Sequence, residues 1–212
     1  MTSKDPIIDL KRLTDEVAME WLANYIDQAI DDECEIKAKK ALSFCAEMEE
    51  RLQGVSLVEL CYFRANIWSV IRQSKHQEES IIWLWDQPEI LQEVYWLRYS
   101  ICSLYFKELP PLRQCQILVN TGNILSHIGR LVEAIDYWHR ALKILPNFGM
   151  AIGNLGFGYE VYAKTLYDPG HAVTILKHAY DTLNSVAEDN VLWDGYGYET
   201  PKSQMLANAN IM

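Results

Sequence analysis

The chain has 212 residues, half of them hydrophobic, with seven tryptophans and twelve tyrosines against only ten glycines and seven prolines. That composition argues against disorder over most of the chain and supplies a core for one domain or one elongated array. A formal net charge of −10 argues against nucleic acid and membrane surfaces as partners and leaves a neutral or basic protein or peptide as the easier fit.

Residues 1–13 contain no apolar stretch of the kind that directs secretion and read as an N-terminal arm. From Thr14 to about Ile30, the residues Val17, Trp21, Leu22, Tyr25, Ile26 and Ala29 recur at intervals of three and four, one apolar stripe of a helix. A second helix is expected from about Glu33 to Leu52, ended by Gly54. Ser56-Leu57-Val58-Glu59 then has the capping-box form that opens a third, running to about Gln73. Trp83 and Trp85 follow in a short connecting segment, where they read as apolar anchors for a partner. Pro88 suits the first turn of a helix from about Glu89 to Phe106. After Pro110-Pro111 come four more helical segments, broken near Gly129, Pro146 and Pro169-Gly170. No segment alternates with period two over a convincing length, so the expected class is all-α, built from helix pairs with short connections.

The last stretch, 189–212, combines the helix breakers Gly195, Gly197 and Pro201 with Trp193, Tyr196 and Tyr198. It reads as an aromatic loop followed by a terminal helix or cap, with Trp193 a third anchor. Five cysteines (Cys34, Cys45, Cys61, Cys102, Cys115) form no CxxC pair and lie in apolar helical patterns. They read as reduced, mostly buried small hydrophobes of a cytoplasmic protein.

The decamer GMAIGNLGFG (Gly149 to Gly158) raises the question of a phosphate-binding loop. The order Gly153-x-x-Gly156-x-Gly158 reverses the dinucleotide fingerprint, no strand precedes it, and GxxxxGK[ST] is absent. Aligning NTGNIL (Asn120 to Leu125) with NLGFGY (Asn154 to Tyr159) matches Gly122 to Gly156 at a spacing of 34 residues. With Leu118, Leu125, Gly129, Ala134, Trp138, Ala141 and Pro146, the stretch from Cys115 to Phe148 resembles one whole tetratricopeptide repeat. Residues 149–184 resemble a second, with its second helix four residues late, which predicts a longer connection around Tyr167–Gly170. Cys61, Arg64, Ala65 and Trp68, with Leu97 and Ser100, suggest a degenerate pair upstream.

The resemblance implies a repeat domain over 14–188, its antiparallel pairs stacked as a right-handed superhelix, an α-solenoid. It also implies a concave groove lined by the first helix of each pair. On that template Gln116, Asn120, Asn123 and His127 face Met150, Asn154, Phe157 and Glu160, and paired asparagines could grip the backbone of an extended peptide. Where the chaperone-tail clamp of the family has a carboxylate-binding lysine, this chain has Val119 and, one repeat on, Gly153. The function implied is a protein-binding adaptor or scaffold, with self-association an alternative use of the terminal segment.

The run from GNILSHIGRLVEAIDYW to LPNFGMAIGNLGFGY more narrowly resembles prokaryotic tetratricopeptide proteins that carry a C-terminal HEPN domain. That likeness implies a second role, a sensing or antitoxin-like component acting on a HEPN-type ribonuclease in trans, as in phage defence. The Arg-x4-6-His signature of HEPN catalysis is absent, Arg72 and His76 standing one residue too close.

Nothing else in the chain reads as an active site. His76 with Glu79 and Asp136 with His139 each offer two ligands at helical spacing without a third, and HExxH and GxSxG are missing. The expectation is a non-enzyme with no metal and no cofactor.

Overall fold

The computed structural model of the chain describes residues 9–75 and 87–184; Trp83, Trp85, Trp193, the His76–Glu79 pair and the expected terminal cap lie outside the described residues. Within them the protein is all-helical, with eight α-helices and no strand. The chain divides into two compact units, Met1–Glu108 and Leu109–Met212.

The first unit contains α1 (Asp15–Asp31), α2 (Glu35–Glu49), α3 (Gly54–Ser74) and α4 (Pro88–Cys102). Thr14 caps α1, its hydroxyl accepting from the Val17 N–H, and the stripe read from the sequence buries Leu22, Tyr25, Ile26 and Ala29. Trp21, Tyr25 and Phe44 meet edge to face and stacked at centroid distances of 5.1–5.7 Å, locking α1 to α2. Arg51, just past α2, donates to the Leu10 and Leu13 carbonyls at 2.9 Å and to Asp15 at 2.6 Å. That three-way contact ties the described end of the expected arm down, with Leu10 buried beneath it.

The capping box expected at Ser56 does not form. The third helix begins two residues earlier, at Gly54, with Gln53 at the N-cap position and no side-chain cap. The tight exit from α2 needs a backbone φ of +61° at residue 54, which glycine adopts without strain, so Gly54 opens α3 instead of closing α2. The fourth helix also stops short of Phe106: Ser103 turns extended, and Phe106–Glu108 forms one separate 3₁₀ turn.

Helix α3 is the central element of this unit, packing against α1, α2 and α4. The α3–α4 contacts run antiparallel, from Val58 with Ser100, through Arg64 with Trp96, to Arg72 with Glu93. Arg72 and Glu93 form a buried pair at 2.8 Å. Burial pushes the Glu93 carboxyl above its usual range, and the adjacent guanidinium and Ser69 hydroxyl pull it only partly back. Arg64 spans the same interface one layer up, donating to Glu49 at 2.6 Å while its guanidinium lies 4.4 Å from the Trp96 ring centroid. The hydrogen bond from Arg64 holds the Glu49 carboxyl low.

The second unit contains α5 (Pro111–His127), α6 (Leu131–Ile144), α7 (Gly149–Thr165) and α8 (Pro169–Asn184). Each packs on the next, and α5 also touches α7. Cys115 meets Ala141 and Gly122 meets Trp138, so α5 and α6 are antiparallel, joined through Gly129 at φ +81°. Gly156 faces Leu183 and Tyr159 faces His178, giving α7 and α8 the same arrangement.

The four extra residues of the second repeat-like stretch are not in a loop, as the sequence suggested. Both pairs turn over three residues, 128–130 and 166–168. Helix α7 continues instead to Thr165, one turn farther past Gly156 than α5 continues past Gly122. The cysteines are mostly buried: Cys45, Cys61 and Cys115 lie in the core, Cys34 is half-buried at the N-cap of α2, and Cys102 is exposed at the end of α4.

Candidate functional site

Four glycines thin α7, and two of them explain its neighbours. A Cβ on Gly158 would lie 2.5 Å from the Trp138 ring, and one on Gly156 would lie 2.5 Å from the Leu183 side chain. Across the bundle, a Cβ on Gly122 of α5 would meet the same indole at 2.4 Å. Trp138, on α6, is therefore inserted between α5 and α7 and is 2 % exposed. The glycine-rich decamer is a packing surface.

Being donor-only, the buried Trp138 N–H needs an acceptor. It donates to Asn123 Oδ1 on α5 at 3.1 Å. The same oxygen accepts from Asn154 Nδ2 on α7 at 2.8 Å. Two residues expected to face a ligand thus also bond each other, joining the two helices on that face.

The rest of the expected set lies along the same two helices. Gln116, Asn120 and Met150 are half-buried, His127 and Phe157 are exposed, and Phe157 keeps 53 % of its surface open. Gln116 accepts from Arg113 at 2.6 Å, and Glu160 pairs with Lys164 at 2.5 Å, so two charged partners border the face that the sequence reading had not assigned. Val119 is fully buried, so it belongs to the core and not to any carboxylate-binding lining.

On the α6–α8 side, His139 Nε2 and the Tyr159 hydroxyl share a hydrogen bond of 2.6 Å, and the His178 ring lies 6.4 Å from the Tyr159 ring. Partial burial lowers the His139 pKa, helped by nearby Lys143 and opposed by Asp136, and burial raises that of Tyr159. Among the described residues no three His, Cys, Asp or Glu side chains are placed to hold a metal ion, and no helix is long and apolar enough to cross a membrane.

No family model matches the chain, and neither does any curated protein. Of the residues that build the site, Trp138 is the one whose role the sequence does not show: it stands there as a marker position of the repeat, while its N–H is what fixes the asparagine pair.

Proposed function

We propose that the protein is a tetratricopeptide-like adaptor, not an enzyme, which binds an extended neutral or basic peptide of a partner protein along the α5–α7 face. On this reading its helix pairs stack as a solenoid and the face is the concave side. The observation that carries the proposal is the Asn123–Asn154 pair. Asn123 Oδ1 and Asn154 Nδ2 are used between the helices, and neither Asn123 Nδ2 nor Asn154 Oδ1 has a partner among the described residues. One spare donor and one spare acceptor on these two half-buried side chains match what an extended peptide offers at every residue. The exposed Phe157 ring and half-buried Met150 supply apolar contact beside them. The acidic chain favours partners that are not themselves acidic.

The test is selection of the full chain against a random displayed-peptide library. Enriched peptides whose binding falls at least tenfold on Asn154→Ala or Phe157→Ala support the reading. Enrichment that ignores both substitutions sinks it.

A further inference from the structure

We infer that Trp138 is a positioning residue that sets the polarity of the asparagine pair, so that the site accepts a peptide residue in one chain direction only and rejects proline there. The inference rests on the peptide-binding reading and adds the rule by which the peptide is selected.

An asparagine amide can turn over and exchange its donor for its acceptor, so a pair of them in isolation presents either pattern. Indole N–H can only donate. Trp138 is pinned between Gly122 and Gly158, and the atom 3.1 Å from its Nε1 must therefore be an oxygen, which fixes Asn123 Oδ1 inward and Nδ2 outward. The atom of Asn154 lying 2.8 Å from that oxygen must then be Nδ2, which turns Asn154 Oδ1 outward. One buried donor thus determines two surface groups, a donor on α5 and an acceptor on α7.

In an extended chain the N–H and C=O of one residue point to the same edge. Its N–H must meet Asn154 and its C=O must meet Asn123, so the bound residue runs in the N-to-C sense from α7 towards α5. The opposite sense sets donor against donor. Proline, which has no N–H, leaves the Asn154 oxygen unmatched.

The experiment uses the isotope-labelled full chain and the probe N-acetyl-phenylalanine N-methylamide, followed by nuclear magnetic resonance. Expected are saturable shifts of the Asn123 and Asn154 side-chain amides, with Overhauser contacts from the acetyl methyl to α7 and from the N-methyl to α5. Methylating the phenylalanine nitrogen should weaken binding about tenfold, the worth of one hydrogen bond. Trp138→Phe removes the N–H, and both probe orientations should then appear. If Trp138→Phe does not fold, Asn123→Asp separates the effects. Its carboxylate still accepts from Trp138 and Asn154 but has lost the outward donor, so probe affinity should fall about tenfold in a folded chain. Absence of any shift on α5 and α7 overturns the peptide reading itself. Binding that keeps a single orientation in Trp138→Phe, or full affinity in Asn123→Asp, overturns the role of Trp138 and leaves the peptide reading standing.

Discussion

Gly122 and Trp138 occupy complementary halves of one volume: a Cβ on Gly122 would sit 2.4 Å from the indole nitrogen, closer than any non-bonded carbon tolerates. Because Trp138 is also held against Gly158 on its other edge, it has no direction in which to retreat.

Gly122→Ala and Gly158→Ala should therefore each destabilise the second unit by about 1–3 kcal/mol, the usual cost of overpacking. Gly129→Ala tests the other use of glycine. Nothing lies within 4 Å of its missing Cβ, yet φ is +81°, so strain alone should cost about 1 kcal/mol. Urea titrations of the three variants check both figures. Equal stability of Gly122→Ala and the wild type would show that the indole is not confined.

Removing one partner of the buried Arg72–Glu93 pair leaves a charge in the core. Glu93→Ala should cost about 3–5 kcal/mol, whereas Arg72→Met combined with Glu93→Leu should return most of that loss, because the pair's own attraction is spent on its desolvation. A double variant as unstable as Glu93→Ala would mean that the ion pair is a net source of stability.

His139 makes the second unit acid-sensitive. Its folded pKa lies below the unfolded value of about 6.5, so the unfolded state takes up the proton first. Stability should be fully present above that value and decline as pH falls below it towards the folded pKa. The groups facing the imidazole are Asp136, Lys143 and Tyr159, with His178 beyond the Tyr159 ring. Urea midpoints of the wild type and His139→Gln between pH 7.5 and 5.5 should diverge, the wild type losing more. Parallel curves would remove His139 as the cause.

Thiol reactivity should divide the five cysteines by burial. Desolvation pushes Cys45 and Cys61 up to about 12 and Cys115 to about 11, so all three stay protonated and inert in the native chain at pH 8. Exposed Cys102 should react with a disulfide reagent first and half-buried Cys34 next. Mass mapping of the adducts before and after unfolding gives the order, and early modification of Cys45 would contradict the packing around Arg64.

How much of this was legible in the sequence depends on what each residue encodes. The stripe from Trp21 to Ala29 and the Gly122–Gly156 spacing are periodicities, and the all-helical fold follows from them. The start of α3 is not legible locally, because Ser56 and Glu59 carry the capping signal while the turn geometry at residue 54 overrides it. The extra turn of α7 reads as a loop because Pro169-Gly170 signals a break, yet proline at the first position of α8 suits a helix start. The grouping of Asn123 with Asn154 on one face comes from the likeness to a two-helix repeat. That these two bond each other, under the control of a tryptophan on another helix, is a long-range contact that no local pattern records.

The glycines that let α7 pack so closely also make it a poor helix by itself. Gly153, Gly156 and Gly158 each cost about 1 kcal/mol of helix propensity relative to alanine, more than a 17-residue segment recovers alone. Helix α7 is thus a helix by consent of its neighbours: Trp138 from one side and Leu183 from the other hold it in shape. Its order should rise and fall with theirs, so an event that loosens α6 or α8 reaches the asparagine at residue 154 without touching it.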